Sequence, residues 1–176
     1  MENIKIKNLK WWQIALLSIA VSALGGLSSR KTKKQEKQLY NEELKQAPWA
    51  PPAWVFAPAW SINNFFLINA LKKILKSSDI EKKKLLYMQG AIWLVFISFN
   101  YIYFNKKSPI LGAAWTIADA LLATGSFKTA MQQDKKIAYN YLPLVAWTSF
   151  ASSLAVYQAL RNPDPLLKTG PLIHLN

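Results

Sequence analysis

Pro48-Trp49-Ala50-Pro51-Pro52-Ala53-Trp54-Val55-Phe56-Ala57-Pro58-Ala59-Trp60 sets three tryptophans and four prolines in thirteen residues and runs directly into an apolar segment. Proline is tolerated in the first turn of a helix, where an N–H has no partner anyway, so Pro51 and Pro52 predict a helix start. Trp49 and Trp54 beside that start suit the aromatic belt of a membrane boundary. Pro58 has no N–H to donate to the Trp54 carbonyl and crowds it, which predicts a bend where Phe56 and Trp60 project. A bent helix lined with aromatic rings presents a concave surface.

The chain around this stretch separates charge from apolar sequence. Of its 22 basic and 9 acidic residues, all but Asp119 fall outside five apolar stretches: 11–29, 53–71, 85–104, 110–127 and 137–160. Stretches of about 18 to 24 residues, rising 1.5 Å per residue as helix, reach across roughly 30 Å of hydrocarbon. They are apolar around most of the circumference, as Ala91-Ile92-Trp93-Leu94-Val95-Phe96-Ile97 shows, which argues against surface helices of a soluble fold. The expected fold is all-α, an integral membrane bundle of five transmembrane helices in residues 1–162, followed by a C-terminal tail, 163–176. The near-zero mean hydropathy averages charged loops with apolar spans and hides this division.

The first stretch has a basic flank, but a charged loop follows it, so it reads as a retained helix rather than a cleaved signal peptide. The net charge of +13 sits in short loops between apolar segments, a pattern that suits anionic lipid headgroups and argues against nucleic acid. Cysteine is absent, which excludes disulfides and thiolate metal sites. His174 reads as a residue of a Pro-rich tail, and no metal site is expected. Lys and Arg counts at the two ends of a five-span bundle nearly tie, so charge alone does not orient it. The loop 30–48 mixes both signs of charge with Leu39, Tyr40 and Leu44; it suits either a solvated linker or a short amphipathic helix lying over the bundle.

The spacing W-x-P-P-x-W-x-F-x-P-x-W over residues 49–60 resembles the start of the second transmembrane helix in the TspO/MBR family, the translocator or tryptophan-rich sensory proteins. Pro143-Leu144-Val145-Ala146-Trp147-Thr148-Ser149-Phe150-Ala151 resembles that family's helix-five motif, and Tyr103-Phe104 followed by Ser108-Pro109 resembles its aromatic pair and following loop. The resemblance covers roughly residues 11 to 162. It implies a cytosolic C-terminus and a ligand cavity lined by Trp60 and Trp147. Two indoles facing each other across a bundle form a slot for a flat aromatic ligand.

Further candidates surround that slot. Phe56, Trp60, Asn63 and Asn64 fall on one helix face. Trp49, Pro51, Pro52 and Trp54 flank the start of the helix; Phe96 and Phe99 replace polar and aromatic positions of the family's third helix; Pro143 and Phe150 flank Trp147. Asp119, the lone acid within a stretch, must be protonated, paired, or turned to water or ligand, because an ionised carboxylate in hydrocarbon is costly. Its alternative is a neutral, hydrogen-bonded structural role. Leu154, Tyr157 and Arg161 match a weak cholesterol-recognition pattern. The small-residue rows Ser18, Ser22, Gly26 and Ala151, Ala155, Ala159 support close helix contact, within one chain or across a homodimer.

No catalytic residues are expected: the chain lacks a glycine-rich phosphate loop, paired carboxylates and a base placed to activate serine. The expected function is binding of a flat hydrophobic ligand for sensing, sequestration or transport. The family implies a tetrapyrrole (porphyrin or haem, as ligand rather than resident cofactor), with a sterol second. Two alternatives stand beside it, a membrane enzyme promoting oxidative porphyrin degradation and a scaffold with a vestigial pocket. The partners are then that ligand and the lipid bilayer. Composition favours a bacterial plasma membrane over a mitochondrial outer membrane.

Overall fold

A computed structural model describes residues 6–29, 32–78 and 80–173, with only the backbone of Lys33; His174 lies outside the described residues. Seven α-helices and no strand are present among them. Five are long: α1 (Trp11–Leu27), α3 (Phe56–Lys76), α4 (Lys82–Asn100), α5 (Pro109–Met131) and α7 (Leu142–Arg161). Two are short, α2 (Lys33–Gln38) and α6 (Lys135–Ala138). By length and composition, α5 and α4 with its continuation to residue 105 can cross a membrane, while α1 is apolar but only 17 residues long. The remaining two long helices carry more polar residues, among them the buried Asn63, Asn64, Thr148 and Gln158.

Local chemistry sets the boundaries. Ser108 caps α5 by accepting a hydrogen bond from the Leu111 N–H at 3.2 Å, and Pro109 occupies the first helical position. The stretch 137–160 is not one helix: α6 ends at Ala138 and α7 begins at Leu142, because Pro143 cannot continue a helix arriving from the preceding turn. Pro58 does not interrupt α3. A 3₁₀ turn, Ala53–Val55, leads into α3, so Pro58 falls in the first α-helical turn, where its missing N–H costs least.

The helices form a ring. α1 packs on α3 and α4, α4 on α5, α5 on α7, and α3 touches α7 more sparingly to close it. Asn64, fully buried, ties three of them: its amide donates to Ser22 Oγ at 3.0 Å and accepts from the Trp93 indole N–H at 3.2 Å. Close approach of α1 and α4 runs through Gly25, where an added Cβ would stand 2.4 Å from the Phe96 ring. Ala155 and Ala159 pack against Ala113 and Ile110 of α5, so that small-residue row serves contact within the chain.

Both ends of the ring are fastened by polar contacts. At one, Lys73 Nζ donates to the Lys136 carbonyl at 2.8 Å and Asn69 to Asn140 at 2.7 Å. At the other, Asp164 is buried and accepts from Ser108 Oγ at 2.6 Å and from the Ile110 N–H at 3.0 Å. The tail thus begins with a turn docked on the start of α5, closed by reciprocal backbone bonds between Asp164 and Thr169.

Two glycines test this packing. Phe96 cannot swing freely away from position 25, because Trp60 lies against it with ring centroids 4.6 Å apart. Gly25→Ala is expected to lower stability by about 1–3 kcal/mol, the usual cost of overpacking. Nothing lies within 4 Å of a Cβ at Gly90, so Gly90→Ala is expected to be neutral or to gain up to about 1 kcal/mol from helix propensity. Thermal melts of both variants in detergent check the contrast.

Candidate functional site

Where α3 and α7 meet most sparingly, a cleft of about 330 Å³ opens on the side of the bundle. Ala59, Ile62 and Asn63 line it from α3, and Pro143, Ala146, Trp147 and Phe150 from α7. The residues repeat at three and four positions along each helix, which brings each set onto one face. Asn63 is the only lining side chain with an amide, so the walls are almost wholly apolar.

Trp147 is the one lining residue that combines a large ring with an uncommitted polar group. Its indole Nε1 is buried and has no hydrogen-bond partner. A buried donor left unpaired costs on the order of 1–3 kcal/mol, and a ligand acceptor reaching that nitrogen would recover it. The ring is held edge-on by Phe56, 5.5 Å away at 74°, and lies tilted at 46° to Phe150, 5.9 Å away. Edge-to-face contacts of this kind fix ring orientation beyond simple burial.

Phe56 is in turn edge-on to Tyr40, at 5.5 Å. Tyr40 belongs to a π-helical turn, Leu39–Glu43, which continues from α2, so the loop after α1 is partly helical and lies on the bundle. The Tyr40 hydroxyl donates to the Pro51 carbonyl at 3.1 Å, and burial holds this phenol above the usual tyrosine range. Gln46 donates to the Tyr40 carbonyl and accepts from Gln158 at 2.6 Å, while Gln158 accepts from the Tyr103 hydroxyl at 2.7 Å. Asn162 adds a two-way bond with the backbone of Lys45, at 2.7 and 3.1 Å. The loop that carries Tyr40 is thereby stitched to the C-terminal end of α7.

The residues singled out from sequence divide among several places. Pro143, Trp147 and Phe150 line the cleft, with Phe56 behind Trp147. Trp60 points elsewhere, onto Phe96, and Phe99 stacks on Tyr103 at 5.4 Å. Asn64 spends both ends of its amide on Ser22 and Trp93. Trp49 is an anchor on α7, donating to Ser153 Oγ at 3.2 Å and edge-on to Tyr157 at 5.6 Å. Pro51 supplies the carbonyl that Tyr40 bonds, Pro52 is exposed, and Trp54 is 73% exposed. Asp119 is buried in α5 with one carboxyl oxygen lacking a partner.

Ala59, Ile62 and Ala146 were not among the residues expected at the site. The only signal for them was helical spacing: positions 59, 62 and 63 form a face beside the one carrying 60 and 64, and it is the former that turns toward α7. Leu154, of the cholesterol pattern, is buried, whereas Tyr157 and Arg161 form a cation–π pair at 6.0 Å.

The Tryptophan-rich protein TspO of Chlorobaculum tepidum is 26% identical over 150 residues, spanning 81% of this chain and 92% of the relative. The TspO/MBR family model matches residues 14–160, which covers the cleft and nearly all of the five long helices. The chain belongs to the TspO/MBR family of membrane proteins.

Proposed function

We propose that this chain crosses the membrane five times and that the cleft between α3 and α7 takes a flat hydrophobic ligand, a tetrapyrrole first and a sterol second, for sensing, sequestration or transport. The observation that carries the reading is the buried, unpartnered indole N–H of Trp147 in an apolar cleft. Ligand sites of this kind are mostly apolar with a few placed polar groups. Here the groups are an indole donor and the Asn63 amide, beside faces of Trp147 and Phe150 on which a planar ring can stack. At about 330 Å³ the cleft lies at the small end of ligand sites, enough for one edge of a macrocycle with the rest lying along the helices. A ligand with an acceptor at its rim, as propionate-bearing porphyrins have, suits the indole N–H best.

Five spans are supported by five long antiparallel helices joined at alternating ends, although composition alone marks two. The setting we propose is a bacterial plasma membrane. The test is titration of the purified protein with protoporphyrin while tryptophan fluorescence is followed. Trp147→Ala and Phe150→Ala are each expected to weaken binding about five-fold, as losing one aromatic contact costs on the order of 1 kcal/mol. Trp147→Phe, which keeps a ring but removes the donor, is expected to weaken it several-fold as well. Trp11→Ala and Trp12→Ala, at exposed interfacial positions, are expected to bind as the parent does. If folded cleft variants, checked by circular dichroism, bind like the parent, the cleft is a packing defect and the scaffold reading gains.

Trp60 supplies a second contrast. Its ring, partly buried, lies on Phe96 and packs against the core, so Trp60→Ala is expected to lower the melting temperature more than it lowers affinity, because truncating a core indole costs up to about 3–5 kcal/mol. Paired melts and titrations separate the two effects.

A further inference from the structure

We propose that the bundle end built from residues 6–10, 72–84 and 128–136 is a docking surface for anionic phospholipid headgroups, on which lysines from three distant chain segments meet the phosphate plane of one leaflet. In the sequence, residues 1–10, 72–84 and 128–136 hold twelve lysines against four acids. The fold gathers their described residues, 6–10, 72–78, 80–84 and 128–136, into one surface. Lys72 donates its ammonium to the Leu9 carbonyl, Lys73 to the Lys136 carbonyl at 2.8 Å, and Lys82 to the carbonyls of Leu75 and Ser77 at 3.1 and 2.8 Å. These cations are therefore held in place by main-chain carbonyls, which carry no full charge to neutralise them. Around them Lys7, Lys10, Lys76, Lys83, Lys84, Lys128, Lys135 and Lys136 are exposed.

Helix stability does not account for the arrangement. Lys82, Lys83 and Lys84 occupy the first turn of α4, which contains no acid, and positive charge there opposes the helix dipole. An ion pair on this surface, Lys84 to Glu81 at 3.4 Å, is largely exposed and contributes little. Lys73 is held below the ordinary lysine range by burial, and although Asp134 pulls it back up, Lys136 and Lys72 press it down again. An anion at this surface would relieve that repulsion.

Two apolar features set the depth. Trp11 and Trp12, 73% and 46% exposed, stand at the start of α1 beside these lysines, where indoles favour the headgroup level. Ile80, 94% exposed at the tip of the α3–α4 turn, gives the surface an apolar side chain that water would not favour. Lysines just outside a tryptophan belt lie at the level of lipid phosphates, and each basic residue near an anionic surface adds to attraction. A membrane leaflet, rather than a soluble anion, fits the combination of cations, indoles and an exposed isoleucine.

The experiment uses the full chain in a zwitterionic detergent, titrated with dioleoyl phosphatidylglycerol or dioleoyl phosphatidylcholine, with bound lipid counted by native mass spectrometry. The parent is expected to retain the anionic lipid over the zwitterionic one by about ten-fold. Lys76→Gln, Lys83→Gln and Lys136→Gln combined, all exposed positions, should bring the two lipids to parity with an unchanged melting temperature. Lys34→Gln, Lys37→Gln and Lys45→Gln, which remove the same charge from the opposite end, should leave the preference intact. The proposal is overturned if the parent shows no preference, if both triple variants lose it equally, or if millimolar inorganic phosphate displaces the lipid as effectively as added phosphatidylglycerol.

Discussion

Asn64 is the constraint on which the arrangement depends. Between lipid-facing helices there is no hydrophobic force to draw one apolar surface onto another, so packing and interhelical hydrogen bonds must select the partners. Asn64 is fully buried and satisfied on both sides, by Ser22 of α1 and Trp93 of α4, and that fixes the rotation of α3 about its own axis. With Asn64 turned inward, Trp60 one turn earlier meets Phe96, and Ala59, Ile62 and Asn63 are left facing α7. The cleft follows from this rotation: small residues on α3 and Pro143 and Ala146 on α7 leave space that Trp147 and Phe150 border without filling.

The other half of the ring is held differently. α5 and α7 approach through Ala113, Ala155 and Ala159, and the end of α7 is fastened by Asn162 to Lys45 and by Asp164 to the start of α5. From there a polar chain runs from Tyr103 through Gln158 and Gln46 to Tyr40. Such chains are costly when broken and rigid when complete. This one ends on the main-chain carbonyl of Tyr40, the residue whose ring touches Phe56, which touches Trp147. The position of the loop and the orientation of the candidate ligand-binding indole are thus linked by contiguous contacts.

Much of the helical content was legible because it rests on charge exclusion and helix length. The break between α6 and α7 was not, since residues 137–160 carry no charge to mark it and Pro143 reads equally as a kink or a start. The motif around Trp147 pointed to the lining of the cleft on α7, where Pro143 and Phe150 lie on the same face. On α3 helical spacing grouped Phe56, Trp60, Asn63 and Asn64 on one face, whereas Asn63 lines the cleft while Trp60 and Asn64 meet α4 and α1; spacing carried no information on which edge faces α7. That choice is made by Ser22 and Trp93, residues distant in sequence. Likewise the small-residue row in α1 suggested Gly26, whereas the contact with Phe96 is made at Gly25, a difference of one position that only the partner helix decides. The loop over the bundle carried the pattern of a short amphipathic helix, one of its two readings, and is partly helical; the docked turn at Asp164 depends on side-chain bonds between segments, which no local pattern announces.

The central claim, that five helices cross the membrane with their connections at alternating faces, is tested most directly by accessibility of single cysteines. The chain has none of its own, so each introduced thiol is an unambiguous reporter. Cysteines replacing Lys34, Lys106 and Lys168, all exposed, should react with a membrane-impermeant maleimide from one side of sealed vesicles. Those replacing Lys7, Lys83 and Lys135, also exposed, should react only from the other. Any member of one set labelling from the side of the other would show that a helix lies in the bilayer without crossing it, and would contradict the account.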